Sequence, residues 1–137
     1  MPVPRYEYTG PVDHTVVPDR SQAKGKSVII TGGADGMGAL MVRDFVAAGS
    51  FVTFGHVKEE RGKAIEKEIN EANGREVCAF VKVDIRDWDQ QKTMFETAKA
   101  RSPANSVDVV IANTGISRSS GECLWTLDGV FCLFFGW

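Results

Sequence analysis

The stretch Lys26-Ser-Val-Ile-Ile-Thr-Gly-Gly-Ala-Asp-Gly-Met-Gly-Ala-Leu40 decides the fold of this chain. It opens with a run of β-branched apolar residues, Val28-Ile29-Ile30, which predicts a strand buried on both faces. Glycines follow at positions 32, 33, 36 and 38. The chain then enters a helical pattern in which the apolar residues of one face are Met37, Met41, Phe45 and Ala48. The sequence therefore predicts a strand, a glycine-rich turn and a helix in direct succession.

This succession is typical of a phosphate-binding turn. The first N–H groups of a helix have no partner within the helix, and the helix dipole places positive charge at the same end, so both favour an anion. Glycine lets the backbone approach a pyrophosphate because no Cβ intervenes, and it permits φ > 0 in the turn. The alternative interpretation is that the glycines form only a tight connection between strand and helix.

The alternation of strand and helix continues along the chain. Further strands are predicted over residues 51–54, 76–84 and 107–112, and further helices over residues 58–73 and from Asp87 to about Arg101. This β-α-β-α-β-α-β order predicts the α/β class, with a partial doubly wound parallel sheet truncated after strand 4. Right-handed crossovers give the strand order 3-2-1-4, with the first two helices on one face and the third on the other.

Each helix has a predicted buried stripe and predicted ends. Gly49 and Gly74 follow the first and second helices, where a glycine commonly ends a helix. Glu59 and Lys63 form an exposed i,i+4 pair on the second helix, and Asp87 is the expected N-cap of the third. The residues expected to be buried are Ile65, Ile69 and Ala72 in the second helix, and Trp88, Gln91, Phe95 and Ala98 in the third.

Composition limits the class of protein. The 137 residues suit one domain, and the formal net charge of −2 provides no basic field for nucleic acid or an anionic membrane. Neither a secretory signal nor an apolar run of membrane-spanning length is present. The cysteines at positions 78, 123 and 132 lack metal-ligand spacing, so they are interpreted as reduced thiols of a cytoplasmic protein.

The chain divides into a body and two terminal segments. Residues 1–24 contain four of the five prolines and are predicted to form an extended arm. Residues 25–128 are predicted to form the nucleotide-binding body. Residues 129–137, Gly-Val-Phe-Cys-Leu-Phe-Phe-Gly-Trp, form an apolar tail that we interpret as a premature end. The strand 4 edge and this tail are expected to favour self-association.

Three motifs resemble those of the short-chain dehydrogenase/reductase family. Thr31-Gly32-x-x-x-Gly36-x-Gly38 resembles the family's TGxxxGxG element, and Asn113-Thr114-Gly115 resembles its NAG element, with Thr114 in place of the usual alanine. Asp84 matches an aspartate that meets the adenine amino group. The resemblance covers residues 25–125 and implies a Rossmann-type half domain that binds NAD or NADP and serves hydride transfer between nicotinamide and an alcohol or ketone.

The ligand of such a sheet lies beyond the carboxyl ends of the strands, near the switch point between strands 1 and 4. Together with the resemblance, this placement gives the predicted cofactor-binding residues Gly32, Asp35, Gly36, Met37, Gly38, His56, Asp84, Ile85, Asn113 and Gly115. The residue at the end of strand 2 is expected to select the cofactor. A carboxylate there would favour NAD, whereas His56 with Lys58 nearby would tolerate the 2′-phosphate of NADP.

The cofactor preference stays open at this point. Asp35 stands where phosphate-binding relatives often carry a basic residue, which disagrees with the indication from His56. The alternatives are that His56 is an exposed polar loop residue and that Asp84 only terminates its strand.

No catalytic residue is predicted. The family's chemistry needs a tyrosine with a lysine four residues later, and this sequence contains no Tyr-x-x-x-Lys; its tyrosines are Tyr6 and Tyr8. We therefore expect no turnover from these residues alone, and a substrate only if the missing half is supplied. The competing hypotheses are a catalytically silent nucleotide-binding module and a non-functional fragment. No metal site is expected.

Overall fold

The computed structural model describes residues 10–11, 15–17 and 19–115. The strands are β1 (Ser27–Thr31), β2 (Phe51–His56), β3 (Cys78–Lys82) and β4 (Val109–Ile111). The helices are α1 (Gly36–Ala47), α2 (Glu59–Asn73) and α3 (Trp88–Arg101), preceded by a short 3₁₀ helix, Arg20–Ala23. The strands form a parallel sheet in the order β3-β2-β1-β4. The predicted α/β class and strand order are confirmed.

The sheet carries a hydrophobic cluster on each face. Val28, Ile29 and Ile30 of β1 are all fully buried, as expected for a strand covered on both sides. The larger cluster joins the sheet to α1 and α2 and includes Phe54. The smaller cluster lies under α3 and consists of Ile29, Val83, Met94 and Ala98. Of its two α3 residues, Ala98 was predicted to be buried and Met94 was not.

The buried faces of α1 and α2 differ from the sequence expectation at their ends. Met37 is 75% exposed, and Val42 and Val46 are the buried apolar side chains of α1. Met37 lies in the first turn, beyond the core that the middle of the helix covers. Ile65 and Ile69 of α2 are buried as expected, but Ala72, in the last turn, is exposed.

The prediction for α3 was wrong for its aromatic residues. Trp88 is 62% exposed and Phe95 is 40% exposed, whereas Met94 and Ala98 are buried. The reason lies in the strand beneath the helix. A Cβ placed on Gly55 of β2 would lie 2.7 Å from Met94 Sδ, so the missing side chain at Gly55 gives Met94 its space.

The ends of the elements mostly follow the predicted signals. Gly74 closes α2 in the left-handed conformation at φ 63°, and Gly49 follows α1 at φ 88°. Asp87 caps α3 by accepting hydrogen bonds from the N–H groups of residues 89 and 90. Both outer strands are shorter than the expected 76–84 and 107–112. The 3₁₀ helix lies within the arm that was expected to be extended, and residues 116–137 with their tail lie outside the described ranges.

Side chains of α2 cover the outer edge of β3. Asn70 Oδ1 accepts from the N–H groups of Val77 and Cys78, at 2.9 and 3.0 Å, and Asn70 Nδ2 donates to Cys78 O at 2.9 Å. Glu66 Oε1 accepts from Phe80 N at 3.1 Å. These bonds satisfy backbone groups that would otherwise be available to another strand.

Candidate functional site

Hydrogen bonds join the loops that follow the carboxyl ends of the strands. Gly33 N donates to Gly55 O at 3.1 Å, which connects the turn after β1 to the end of β2. Val83 N donates to His56 O at 3.2 Å, which connects the end of β2 to the segment after β3. The predicted loops therefore form one continuous rim at the carboxyl edge of the sheet.

The end of β4 is tied to the end of β1. Thr31 Oγ1 accepts from the N–H groups of Asn113 and Thr114, each at 3.1 Å. Asn113 Nδ2 in turn donates to Thr31 O at 3.1 Å. Thr31 thus accepts all three hydrogen bonds, which fix the position of the segment after β4 relative to the glycine turn.

The glycine turn combines close packing with open space. Gly32 has φ +70°, which favours glycine, and a Cβ on Gly38 would lie 2.2 Å from Gly32 O, so only glycine permits this approach of α1 to the turn. In contrast, a Cβ on Gly36 or on Gly115 would meet no atom within 4 Å. The described residues thus leave open space beside Gly36 at the start of α1.

Asp35 stands at the N-cap of α1 but does not cap it. Its side chain accepts no hydrogen bond from the helix N–H groups. Instead its carboxylate pairs with Lys58 Nζ at 2.9 Å and with the guanidinium of Arg61. The hydrogen bond from Lys58 is the main cause that lowers the pKa of Asp35. Within the described residues, therefore, no side chain caps the start of α1, and the two cations offset the negative charge of Asp35.

His56 is the last residue of β2, and a hydrogen bond determines which nitrogen of its neutral ring carries the hydrogen. Its Nδ1 accepts a hydrogen bond from Lys58 N at 2.9 Å, so the neutral ring carries its hydrogen on Nε2. Burial lowers the pKa of His56, and the positive charges of Lys58 and Arg61 act in the same direction, against the influence of Asp35. The ring is thus a hydrogen-bond donor at neutral pH.

Arg86 holds the Asp84 carboxylate in a bidentate pair. Arg86 Nε donates to Asp84 Oδ1 at 3.0 Å and Arg86 Nη2 donates to Oδ2 at 2.5 Å, while Arg86 N donates to Oδ1 at 3.0 Å. These bonds lower the pKa of Asp84 to about 2. Asp84 N is held separately, by Gln90 Oε1 at 2.9 Å, and Ile85 O accepts from Gln91 Nε2 at 2.6 Å. The segment after β3 is thus anchored to the first turn of α3.

The structure places the ten predicted residues on this rim, with different surroundings. Met37 and Gly36 are exposed, Gly38 is buried, and Gly115 is exposed beside the half-buried Asn113. Arg61 was missed in the sequence, although its position three residues after Lys58 places both on one side of α2. No role was predicted for Gly33 from the sequence either. In the structure a Cβ on Gly33 would lie 2.6 Å from Phe54 Cβ, so the close packing of the turn on β2 requires glycine at this position.

The part of the chain that the structure describes contains neither a candidate metal site nor a candidate membrane-spanning helix. No group of three or more His, Cys, Asp or Glu side chains there could hold a metal ion. No helix there has the length and apolar character needed to cross a membrane. Cys78 is a free, buried thiol, and burial raises its pKa to about 12, so it is not a nucleophile at neutral pH. Tyr6, Tyr8, Cys123 and Cys132 lie outside the described ranges.

Comparison with known proteins gives one family and several relatives. The family model described as short chain dehydrogenase matches residues 26–125. A (+)-cis,cis-nepetalactol synthase of Nepeta racemosa is 32% identical over 110 residues, which cover 80% of this chain and 38% of that protein. A 5′-hydroxyaverantin dehydrogenase of Dothistroma septosporum is 31% identical over 105 residues, which cover 76% of this chain and 34% of that protein. The chain thus spans less than two fifths of the length of these relatives.

One solved structure is similar to the chain in both fold and sequence. It is a blue fluorescent protein from a metagenomic library, crystallised in complex with NADPH. The match has a TM-score of 0.60 and 32% identity, and covers 68% of this chain and 37% of that protein.

Proposed function

The chain belongs to the short chain dehydrogenase family, and from that premise we propose that residues 25–128 bind an NAD(P) dinucleotide. The activity proposed for the protein is oxidoreduction, with hydride transfer between nicotinamide and an alcohol or ketone. Support comes from the family match over residues 26–125 and from the NADPH-bound structural neighbour. The free thiol of Cys78 supports the accompanying proposal of a cytoplasmic location.

The observation that carries the proposal is the uncapped start of α1. Open space lies in front of Gly36, and the carboxylate of Asp35 is turned toward Lys58 and Arg61 instead of the helix N–H groups. An anion placed there receives unpaired backbone donors and the positive end of the helix dipole. The diphosphate of a dinucleotide is an anion of this kind, and the family match indicates the same ligand.

A second part of the proposal concerns turnover. The sequence lacks Tyr-x-x-x-Lys, so these residues provide no phenol and lysine pair to move the proton at the substrate oxygen. We expect the 137-residue chain alone to bind cofactor and to show no measurable reduction of ketones. A catalytically silent nucleotide-binding module is the second candidate function, and it predicts the same binding.

The third part concerns the adenosine ribose, for which NADP(H) is the proposed preference. His56, at the end of β2, presents a hydrogen-bond donor through its Nε2. Lys58 and Arg61, at the start of α2, present two cations next to it. A 2′-phosphate can accept from these groups, whereas a carboxylate at the end of β2 would repel it. Lys58 and Arg61 both line an open depression of about 710 Å³, which also borders Glu59, Glu60 and Lys82, so there is space beside both cations.

Titration of the full chain with NADPH and NADH tests the proposal. We expect NADPH to bind roughly tenfold more tightly, since charge-assisted hydrogen bonds at an exposed site contribute on the order of 1 kcal/mol. Asp35→Asn should raise the NADPH-to-NADH affinity ratio by about threefold, because Lys58 and Arg61 lose their internal anion. Fluorescence of the reduced nicotinamide and calorimetry both report the affinities.

Two further variants distinguish a specific contribution of Lys58 and Arg61 from the effect of losing any positive charge on α2. Lys58→Gln combined with Arg61→Gln should remove the preference for NADPH. Lys63→Gln is the matched control, because Lys63 lies on the same helix but pairs with Glu59 at 2.6 Å. Absence of binding of either dinucleotide at millimolar concentration would overturn the proposed function. Equal affinities for NADPH and NADH would overturn only the proposed preference.

A further inference from the structure

The hydroxyl of Thr114 faces the glycine turn. A Cβ placed on Gly32 would lie 3.0 Å from Thr114 Oγ1 and 3.3 Å from Thr114 Cα. The oxygen therefore lies against the first residue of the turn, on the β4 side of it. An alanine at position 114 would leave this place without a polar atom.

The backbone around Thr114 is held firmly in place. Thr114 N donates to Thr31 Oγ1 at 3.1 Å, and the neighbouring Asn113 is bonded to Thr31 through both its N–H and its side chain. Threonine is also β-branched, which restricts the rotation of its side chain. The hydroxyl is thus positioned before any ligand arrives, and a preorganised donor loses little entropy on binding.

Thr114 Oγ1 makes no hydrogen bond to any group within the described ranges, although the residue is half-buried. Polar atoms held in such a position are commonly satisfied by a ligand or by water. At the next residue, a Cβ on Gly115 would meet nothing within 4 Å, so the described residues leave open space there.

We propose that the Thr114 hydroxyl is an additional donor to the diphosphate of the bound dinucleotide. The assignment rests on the proposed function, and it adds a side-chain donor from β4 to the backbone donors at the start of α1. The ligand oxygens are anionic, and a hydrogen bond to a charged acceptor is about twice as strong as one between neutral groups.

Two substitutions in the full 137-residue chain separate the hydroxyl from the shape of the side chain. Thr114→Val keeps the branched shape and removes the hydroxyl, while Thr114→Ser keeps the hydroxyl and removes the methyl group. The ligands are ADP, which carries a diphosphate, AMP, which carries a single phosphate, and NADPH. Protein-observed NMR titration reports each dissociation constant, and circular dichroism checks that both variants fold like the parent chain.

Thr114→Val should weaken binding of ADP and NADPH by roughly tenfold, the usual effect of losing one hydrogen bond to a charged group. Its affinity for AMP should change much less, and Thr114→Ser should stay within about threefold of the parent chain for all three ligands. Unchanged ADP binding in Thr114→Val overturns the assignment, and so does a loss confined to NADPH. No binding of NADPH or ADP by the parent chain overturns the proposed function itself, and the assignment with it.

Discussion

Asp35 and Asp84 both lie at the carboxyl edge of the sheet. Asp35 is paired with two cationic side chains and Asp84 with one. The Arg86 pair of Asp84 is local, two residues away, and its formation could have been foreseen from the sequence Asp-Ile-Arg. The pairs of Asp35 with Lys58 and Arg61 span 23 and 26 residues. They depend on the packing of α2 beside the turn, so no local pattern reveals them.

Arg86→Gln is expected to raise the pKa of the Asp84 carboxyl from about 2 toward its ordinary 3.8, because the bonds from Arg86 are the main cause of the shift. The folded-state pKa of Asp84 lies below its ordinary value. The pair therefore stabilises the fold above pH 3.8, and this contribution is lost as the pH falls toward 2. An NMR titration of the ¹³C-labelled aspartate carboxyls measures the pKa directly.

The control for this prediction is Arg75→Gln. Arg75 is an exposed arginine before β3, and its loss should leave the titration of Asp84 unchanged. An Asp84 pKa that stays near 2 in Arg86→Gln would contradict the prediction and indicate that backbone donors alone stabilise the carboxylate.

At the scale of the elements, hydrophobic periodicity was sufficient for the order of strands and helices but not for the inner face of α3. The predicted buried stripe of that helix runs through Trp88, Gln91, Phe95 and Ala98, whereas the observed one runs through Met94 and Ala98, so only Ala98 belongs to both. Size favours the aromatic stripe, yet the sheet accepts the smaller one because Gly55 opens a space for Met94. A glycine inside a strand signals such close approach. Gly55 is visible in the sequence, but the sequence does not show that α3 packs over this part of β2, so it could not indicate that Met94 fills the space.

The junction of α2 with β3 depends on Asn70, and Asn70→Ala is expected to destabilise the fold by about 1–3 kcal/mol. The substitution leaves the N–H groups of Val77 and Cys78 without their acceptor, and both residues are buried. Urea denaturation followed by circular dichroism measures the change in the free energy of unfolding.

Asn73→Ala provides the comparison for Asn70→Ala. Asn73 lies one turn later on the same helix, and its side chain donates only to Ile69 O of its own helix. Its loss should cost well under the effect of Asn70→Ala. Equal losses from the two substitutions would show that helix content, and not the junction with β3, determines the effect.

At the scale of the whole molecule, the described residues form a sheet whose two outer strands differ. Asn70 and Glu66 bond to β3, whereas β4 is paired with β1 on one side and Val110 is 51% exposed. The predicted strand order 3-2-1-4 placed both strands at edges of the sheet, but the sequence did not show that side chains of α2 bond to only one of them. This difference supports the proposal that the chain self-associates through β4.

Val110→Lys is the test of that proposal, because a lysine on an outer strand disfavours pairing with another strand. Sedimentation velocity over a range of concentrations should show association of the parent chain and a shift toward monomer in Val110→Lys. Lys82→Gln on β3 is the control and should leave the association unchanged. A parent chain that is monomeric at all concentrations, or two variants with the same behaviour, would contradict the proposal.

The bonds from Asn70 and Glu66 also limit the number of copies that such an association can contain. A filament requires every copy to offer two different surfaces, one toward each neighbour, whereas a two-fold pair uses the same surface twice. Because α2 side chains bond to Cys78 and Phe80 of β3, β4 is the more accessible of the two outer strands within the described residues. If the proposed association uses this edge, we expect it to form pairs, so a concentrated solution should contain dimers instead of fibres.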